Sequence, residues 1–393
     1  MFDSVLSRAL ILSAGVITLC ASVAAQSRIV VDANNGPGTH FTALPPAIAA
    51  AKDGDLVLVR PGRYAPFSTS KALDVVAELG AVIDSGSTSG PLSITDLKVG
   101  QRFVLAGFIL DFTYIDVARC RGLVTLTGLA TNKIDSSRNA LYLRECADVV
   151  IHGCALKFVQ FSRSSVRASD CIFAHSGIAS LVGTPGVRLY SSDLSLTASK
   201  VVGGDGTGHG AAWAAIIVSP DTGQGSRASN VRVFGDAMTS LVGGVYSGFQ
   251  QMPAIQDFSA QATLELDPRV SLVGGVQGFT KTTNAKRLSL SVGYSFVGQT
   301  ANLRLVRSSQ QVAAIFVSTH RNKIPLAGLG DWYLEPSLQF VAAAHAFGSN
   351  DAFEAHLGLP NAPSLQGLAI GYQAIGIDRG ALELSNPVLQ VLR

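Results

Sequence analysis

The sequence predicts an all-β chain, a β-solenoid followed by a β-sandwich. The first observation is a weak internal repeat. Between Leu141 and Phe173, the residues Val149, Ile151 and Cys154 recur 17 residues on as Val166, Ala168 and Cys171. Each unit is a short alternating strand, a break of polar or small residues, then another apolar position. So short a strand cannot bury its own face, whereas stacked copies can. The second is composition: of 393 residues only 15% are charged and 40 are glycine. That suits an all-β exported protein and argues against a coiled coil or a disordered chain. The third is a change of pattern after Asp257. Longer alternating strands follow, parted by turn signals about every 8–15 residues, as in a sandwich.

The N-terminus reads as a cleavable secretory signal over residues 1–25. Arg8 precedes an apolar run from Ala9 to Cys20, and Val23-Ala24-Ala25 offers small residues before a cut at Gln26. The run is too short to span a bilayer comfortably. Leu19 is bulkier than the residue that ordinarily precedes a lipidated cysteine. No later segment is long and apolar enough for a transmembrane helix, so no membrane span remains after cleavage. The expected location is secreted or cell surface. The net charge of +3 is spread along the chain, which leaves nucleic acid no basic footprint.

Of five cysteines, Cys20 leaves with the signal. Cys154 and Cys171 share one repeat position, so they are expected to stack inside as small buried groups. A disulfide involving either is the alternative for an exported chain that also carries Cys120 and Cys146. No CxxC or paired Cys/His spacing suggests zinc, and no cofactor is implied.

The elements follow in order. Val30-Val31 suggests a strand and Asn34–Gly38 a turn. Phe41–Lys52 has helical spacing, with Phe41, Leu44, Ile48 and Ala51 on one face. Thr42 is placed to cap it, and Pro45 and Pro46 fall in the first turn. Asp53-Gly54 stops the helix, Leu56–Val59 is a strand and Pro61-Gly62 turns the chain. This segment resembles the N-terminal cap of secreted right-handed parallel β-helix proteins, the pectin-lyase-like group. The shared pattern, G-D-apolar-V-x-V-x-P-G-x-Y, is matched from Gly54 to Tyr64. The resemblance implies a right-handed parallel β-helix whose open end is covered by a short helix, as an unpaired sheet edge requires.

Short apolar strands continue from Val75-Val76 to Val231–Phe234, and the β-helix is assigned to residues 28–250. Val201–Ala212 is too Gly-rich for a rung and reads as a loop, as does Pro220–Asn230. A C-terminal β-sandwich is assigned to residues 258–393, with Ala262–Leu266 and Val270–Val273 as its first strands. Trp332 and Tyr333 read as its core. Its end resembles C-terminal modules of exported bacterial proteins, with Gln373-Ala374 through Asp378 and Leu384-Ser385-Asn386-Pro387-Val388 carrying the likeness. Such modules imply no particular activity.

The pectin-lyase-like resemblance raises polysaccharide cleavage, but no enzymatic subfamily is matched. Gly208-His209-Gly210 fits one string of the hydrolase branch; its N-T-D, paired aspartates and R-I-K are missing. The lyase strings W-I-D-H and R-x-P and the methylesterase string Q-D-T-L are missing too. Asp111-Phe112-Thr113-Tyr114 only faintly resembles the other methylesterase string. Inversion at a sugar carbon needs two suitably spaced carboxyl groups, which no motif supplies.

The repeat itself offers Val166-Arg167, Val187-Arg188 and Val231-Arg232, with Asp170, Asp193 and Asp236 shortly after. Arginines at one outward position would stack about 4.8 Å apart. They would either grip an anionic glycan or be neutralised by the aspartates as a solvated face. Arg167, Arg188 and Arg232, with Trp213 to stack on a sugar ring, are the candidate glycan-binding residues. His152 and His175 read as turn or surface histidines. The expected function is non-catalytic glycan binding or a structural role outside the cell, with extracellular polysaccharide as partner. The alternative is a divergent polysaccharide lyase or glycoside hydrolase.

Overall fold

A computed structural model describes residues 27–392, apart from 87–89, 134–139, 175–183, 206–211, 224–225, 247–249, 294–295, 328, 337–338 and 363–364. The expected signal, His175 and Gly208-His209-Gly210 lie outside the described residues.

The chain is all-β, a parallel β-helix with a capping helix, followed by an antiparallel β-sandwich. Three parallel sheets form the faces of the solenoid. Among the described residues face one has 11 strands, from Arg28–Val31 to Lys281–Asn284, and faces two and three have 9 each. A turn visits them in order: Asp148–His152 on face one, Ala155–Lys157 on face two, Val159–Ser162 on face three. In the next turn Val166 lies opposite Val149 and Ala168 opposite Ile151. The 17-residue repeat is therefore the rung register itself. Alternate residues point inward and stack as one core, including Val149, Ile151, Leu156, Val159 and Phe161.

The corners are built from left-handed residues. Asp96, Arg119, Glu145, Arg163 and Ser191 take positive φ between faces three and one. Gly107, Gly128, Gly153, Asp170 and Ala198 do so between faces one and two. The residue after each is buried, and often a cysteine or serine. Ser164 Oγ accepts the Cys146 N–H at 3.1 Å, Ser192 Oγ that of Ser164 at 3.1 Å, and Ser229 Oγ that of Ser192 at 3.0 Å. The thiols of Cys120, Cys146, Cys154 and Cys171 each donate to the carbonyl two residues back. All four cysteines are buried and free. Cys154 and Cys171 stack inside as expected, but they also hold corners, as the serines do.

At one end, helix α1 (Leu44–Ala50) lays Leu44, Ala47 and Ile48 over the first turn, against Val31, Val57 and Phe67. It is shorter than the sequence suggested. Its N-cap position is Ala43, not Thr42, and no side chain caps it. The two prolines do occupy its first turn. Lys71 Nζ, from the next turn, donates to the carbonyls of Ile48, Ala49 and Ala51 at 3.0, 2.7 and 2.6 Å.

At the other end the solenoid runs past residue 250. Ile255–Asp257, Thr263–Leu266, Ser271–Val273, Val276–Gln277 and Lys281–Asn284 all pair in parallel with preceding rungs. The strands near 262–266 and 270–273, expected in the sandwich, are thus rungs. A small hairpin, Val245–Tyr246 with Gln250–Gln251, interrupts the spacing and hides the continuation. Val201 and Val202, assigned to the loop Val201–Ala212, belong to a face-two strand, Lys200–Val202. Its one buried residue, Val201, is enough to place it.

The sandwich comprises two antiparallel sheets. Ser289–Val292, Thr300–Val306 and Ala352–Gly358 form one. Val312–Leu326 organises the other, between Phe340–Ala346 and Ala369–Asp378. Leu290 and Leu303 of the first sheet share a core with Ile315 and Tyr372 of the second. The sandwich folds back along the outside of face one. Leu58, Val76, Val104 and Val150 of the solenoid pack with Ala369, Leu389 and Val391. Face-one strands beneath it, such as Leu56–Val59 and Asp148–His152, are therefore buried on both sides.

Candidate functional site: a cleft between solenoid and sandwich

Where the docked surfaces part, a cavity of about 490 Å³ opens between face one and the sandwich. Its floor is the outer surface of three successive rungs. Arg167, Ser195 and Arg232 lie in register across them, with Asp193 and Asn230 paired beside them. Glu265 extends the row, opposite Arg232. The sandwich supplies Asp331, Tyr333 and the stretch from Glu383 to Pro387.

Charge in the cleft is tightly paired. Asp193 accepts from both terminal nitrogens of Arg227 at 2.8 and 2.7 Å and from Asn230 Nδ2 at 2.7 Å. Burial pushes its carboxyl upward, but these bonds outweigh it and hold Asp193 below the ordinary carboxylate range. Glu265 accepts from Arg287 Nε at 2.8 Å and approaches Arg232 Nε at 3.7 Å. Arg232 is 60% exposed and presents its guanidinium to the cleft. Arg167 pairs with Asp148 and stacks over the Tyr333 ring, 4.4 Å from its centre. Glu383 accepts from the Leu288 N–H at 3.1 Å, from Ser308 Oγ at 2.7 Å and from Gln310.

The two C-terminal motifs meet at the sandwich wall. Gln373 donates to the carbonyls of Asp331 and Ser385 at 2.9 and 3.2 Å and accepts from the Tyr333 N–H at 3.0 Å. Ser385 Oγ accepts from Ala374 N–H at 2.8 Å. Asn386 makes a reciprocal pair with Leu290 of the facing sheet, both bonds at 2.8 Å. The motifs thus fix the backbone that lines the cleft.

The predicted arginine ladder does not exist. Arg167 and Arg232 share face one, with Ser195 between them, but Arg188 is on face three. There it lies over Phe158 and Trp213, at 5.6 and 5.4 Å. Trp213 accordingly sits apart from the cleft. The expected aspartates are not the arginines' partners either. Asp236 bonds Arg304 of the sandwich at 2.6 Å, and Asp170 occupies a corner. Period counting alone could not tell face one from face three.

A self-compensated ladder does occur, along the corner between faces three and one. Arg119 bonds Asp96 at 2.7 Å, while Arg163 approaches Glu145 at 3.5 Å and bonds Asp221 at 3.0 Å. Arg163 and the Gly223 N–H hold Asp221 down to about 2.

His152 is neither a turn nor a surface residue. It is fully buried beside the docked sandwich, its Nδ1 3.1 Å from Ser169 Oγ and 3.6 Å from Asp170. Asp170 accepts from the Val292 N–H of the sandwich at 3.3 Å. Burial lowers His152 to about 4 and raises Asp170 to about 8.

Glu265, Arg287, Tyr333 and Asn386 escaped the sequence reading as site residues. The only signal was the C-terminal motif containing Asn386. Among the described residues no group of three His, Cys, Asp or Glu side chains could hold a metal ion. No helix among them is long and apolar enough to cross a membrane.

No family model matches the chain, and no curated protein matches it. Among solved structures, it is similar to the tailspike protein gp49 of Acinetobacter baumannii bacteriophage Fri1, a capsular polysaccharide depolymerase. The identity is 9% and the TM-score 0.26, over 94% of this chain and 85% of that one.

Proposed function

We propose that the chain is an exported β-helix protein that binds a polysaccharide segment in the cleft between solenoid and sandwich, without cleaving it. The observation that carries this reading is the floor, where guanidinium, hydroxyl, amide and carboxylate groups alternate on successive rungs. Sugar hydroxyls both donate and accept, so such a row suits them. The rungs set it at a regular spacing of about 4.8 Å. The cavity volume falls within the usual range for ligand sites. Hydrolysis of a glycosidic bond calls for a general acid whose pKa is raised. Asp193 is shifted the other way, which speaks against it in that role.

The test is binding to a panel of soluble polysaccharides, with the products assayed for new reducing ends and unsaturated termini. The expected result is saturable binding, weakened about tenfold by Arg232→Ala, with no new chain ends. Release of either product would replace binding with depolymerisation.

A further inference from the structure

We infer that the glycan taken by this cleft is uncharged, a hydroxyl-rich neutral polysaccharide rather than a polyuronate. This rests on the cleft being the glycan site. Three arginines, Arg167, Arg232 and Arg287, line it against four carboxylates, Asp193, Glu265, Asp331 and Glu383. The formal charge of the lining is therefore slightly negative. Each arginine also has a carboxylate beside it: Asp148 for Arg167, and Glu265 shared by Arg232 and Arg287. A polyuronate would have to displace these carboxylates from their partners and bring its own negative charge among them. In a partly buried cleft the cost of crowding like charges is large. A neutral sugar needs no displacement. Its hydroxyls donate to the carboxylate oxygens and accept from the N–H groups that the ion pairs leave over, as the arginine fork allows.

Glu265 is the residue that sets this preference, since it pairs with two arginines of the lining, Arg232 and Arg287. In the variant Glu265→Gln both guanidinium groups lose their partner and the formal charge of the lining rises from slightly negative to zero.

The experiment measures the affinity of the full chain for a neutral β-glucan, a galactomannan, polygalacturonate and alginate, at low and high salt. Neutral polymers should bind at least about tenfold more tightly than either uronate. Their binding should not change with salt, since no net charge is neutralised. Glu265→Gln should narrow the preference about tenfold and make the new uronate binding salt-sensitive. Arg232→Gln, on an exposed side chain, should weaken neutral binding without introducing salt dependence. Circular dichroism and the melting temperature check that each variant is folded. Uronates binding as tightly as neutral polymers in the unaltered chain would overturn the inference and leave the cleft as the glycan site. Failure of all four polymers to bind would overturn the glycan-site reading itself.

Discussion

Ser192 shows how one side chain fixes one turn upon the next. Its Oγ accepts the N–H of Ser164, one turn back, and donates to the carbonyl of Tyr190 at 2.8 Å. The Ser164 N–H is cut off from water, so losing the hydroxyl strands it, while the Tyr190 carbonyl keeps its bond from the Arg163 N–H at 2.8 Å. Ser192→Val should cost about 1–3 kcal/mol in urea unfolding. Ser192→Cys should cost less, because a thiol already does this work at Cys146 and Cys154. Equal midpoints for wild type and the valine variant would sink the argument. The pair His152 and Asp170 sets a pH dependence of its own. Asp170 is raised from 3.8 to about 8, so its contribution is present in acid and lost as pH rises through 8. His152 is lowered from 6.5 to about 4, so its contribution is present above 6.5 and lost as pH falls through 4. Between 4 and 6.5 the two trends offset. The net effect is a stability loss as pH rises from 6.5 to 8, where the folded pair keeps a proton that the unfolded chain releases. The melting temperature should fall across that window in the wild type and stay flatter in Asp170→Asn.

Each end of the solenoid solves the edge problem by different means. Helix α1 covers the first turn with three apolar side chains, and Lys71 closes its C-terminal carbonyls from outside the helix. Lys71→Met should destabilise the chain by about 1–2 kcal/mol through the lost charge–carbonyl bonds. Faster amide exchange in Leu44–Ala50 is the measurement that checks it, and unchanged exchange there would contradict it. The last rung, Lys281–Asn284, is exposed along its length and entirely polar. A lysine and two threonines at an open edge discourage another strand from adding to it. The hydrophobic periodicity that made the inner rungs legible is absent there.

At the scale of the whole molecule, the decisive event is the return of the sandwich onto face one. It turns an outer solenoid surface into a second core. Leu389 is 1% exposed in that core, among Val104, Val150 and Val391. Leu389→Ala should therefore cost about 2–5 kcal/mol in equilibrium unfolding, although it lies outside both the solenoid interior and the cleft. A cost below about 0.5 kcal/mol, typical of surface substitutions, would show that the docked face contributes little. The same return creates the cleft, since the arginines of the floor and the carboxylates of the wall come from residues far apart in sequence.

What the sequence determined by itself was periodic. The register of Val149 on Val166, the interior place of Cys154 and Cys171, the prolines opening α1 and the C-terminal sandwich all follow from local pattern and turn chemistry. Those features extend over no more than one solenoid turn or a few strands, so residues near in sequence encode them. Only the tertiary structure decided which face each outward residue occupies. It set Arg188 beside Trp213, away from Arg167 and Arg232, and it buried His152 under the sandwich. The physical reason is that an outward position carries no pattern of its own. Its partner is chosen by how two separately folded surfaces meet, and that contact is written in burial and charge across more than a hundred residues of chain.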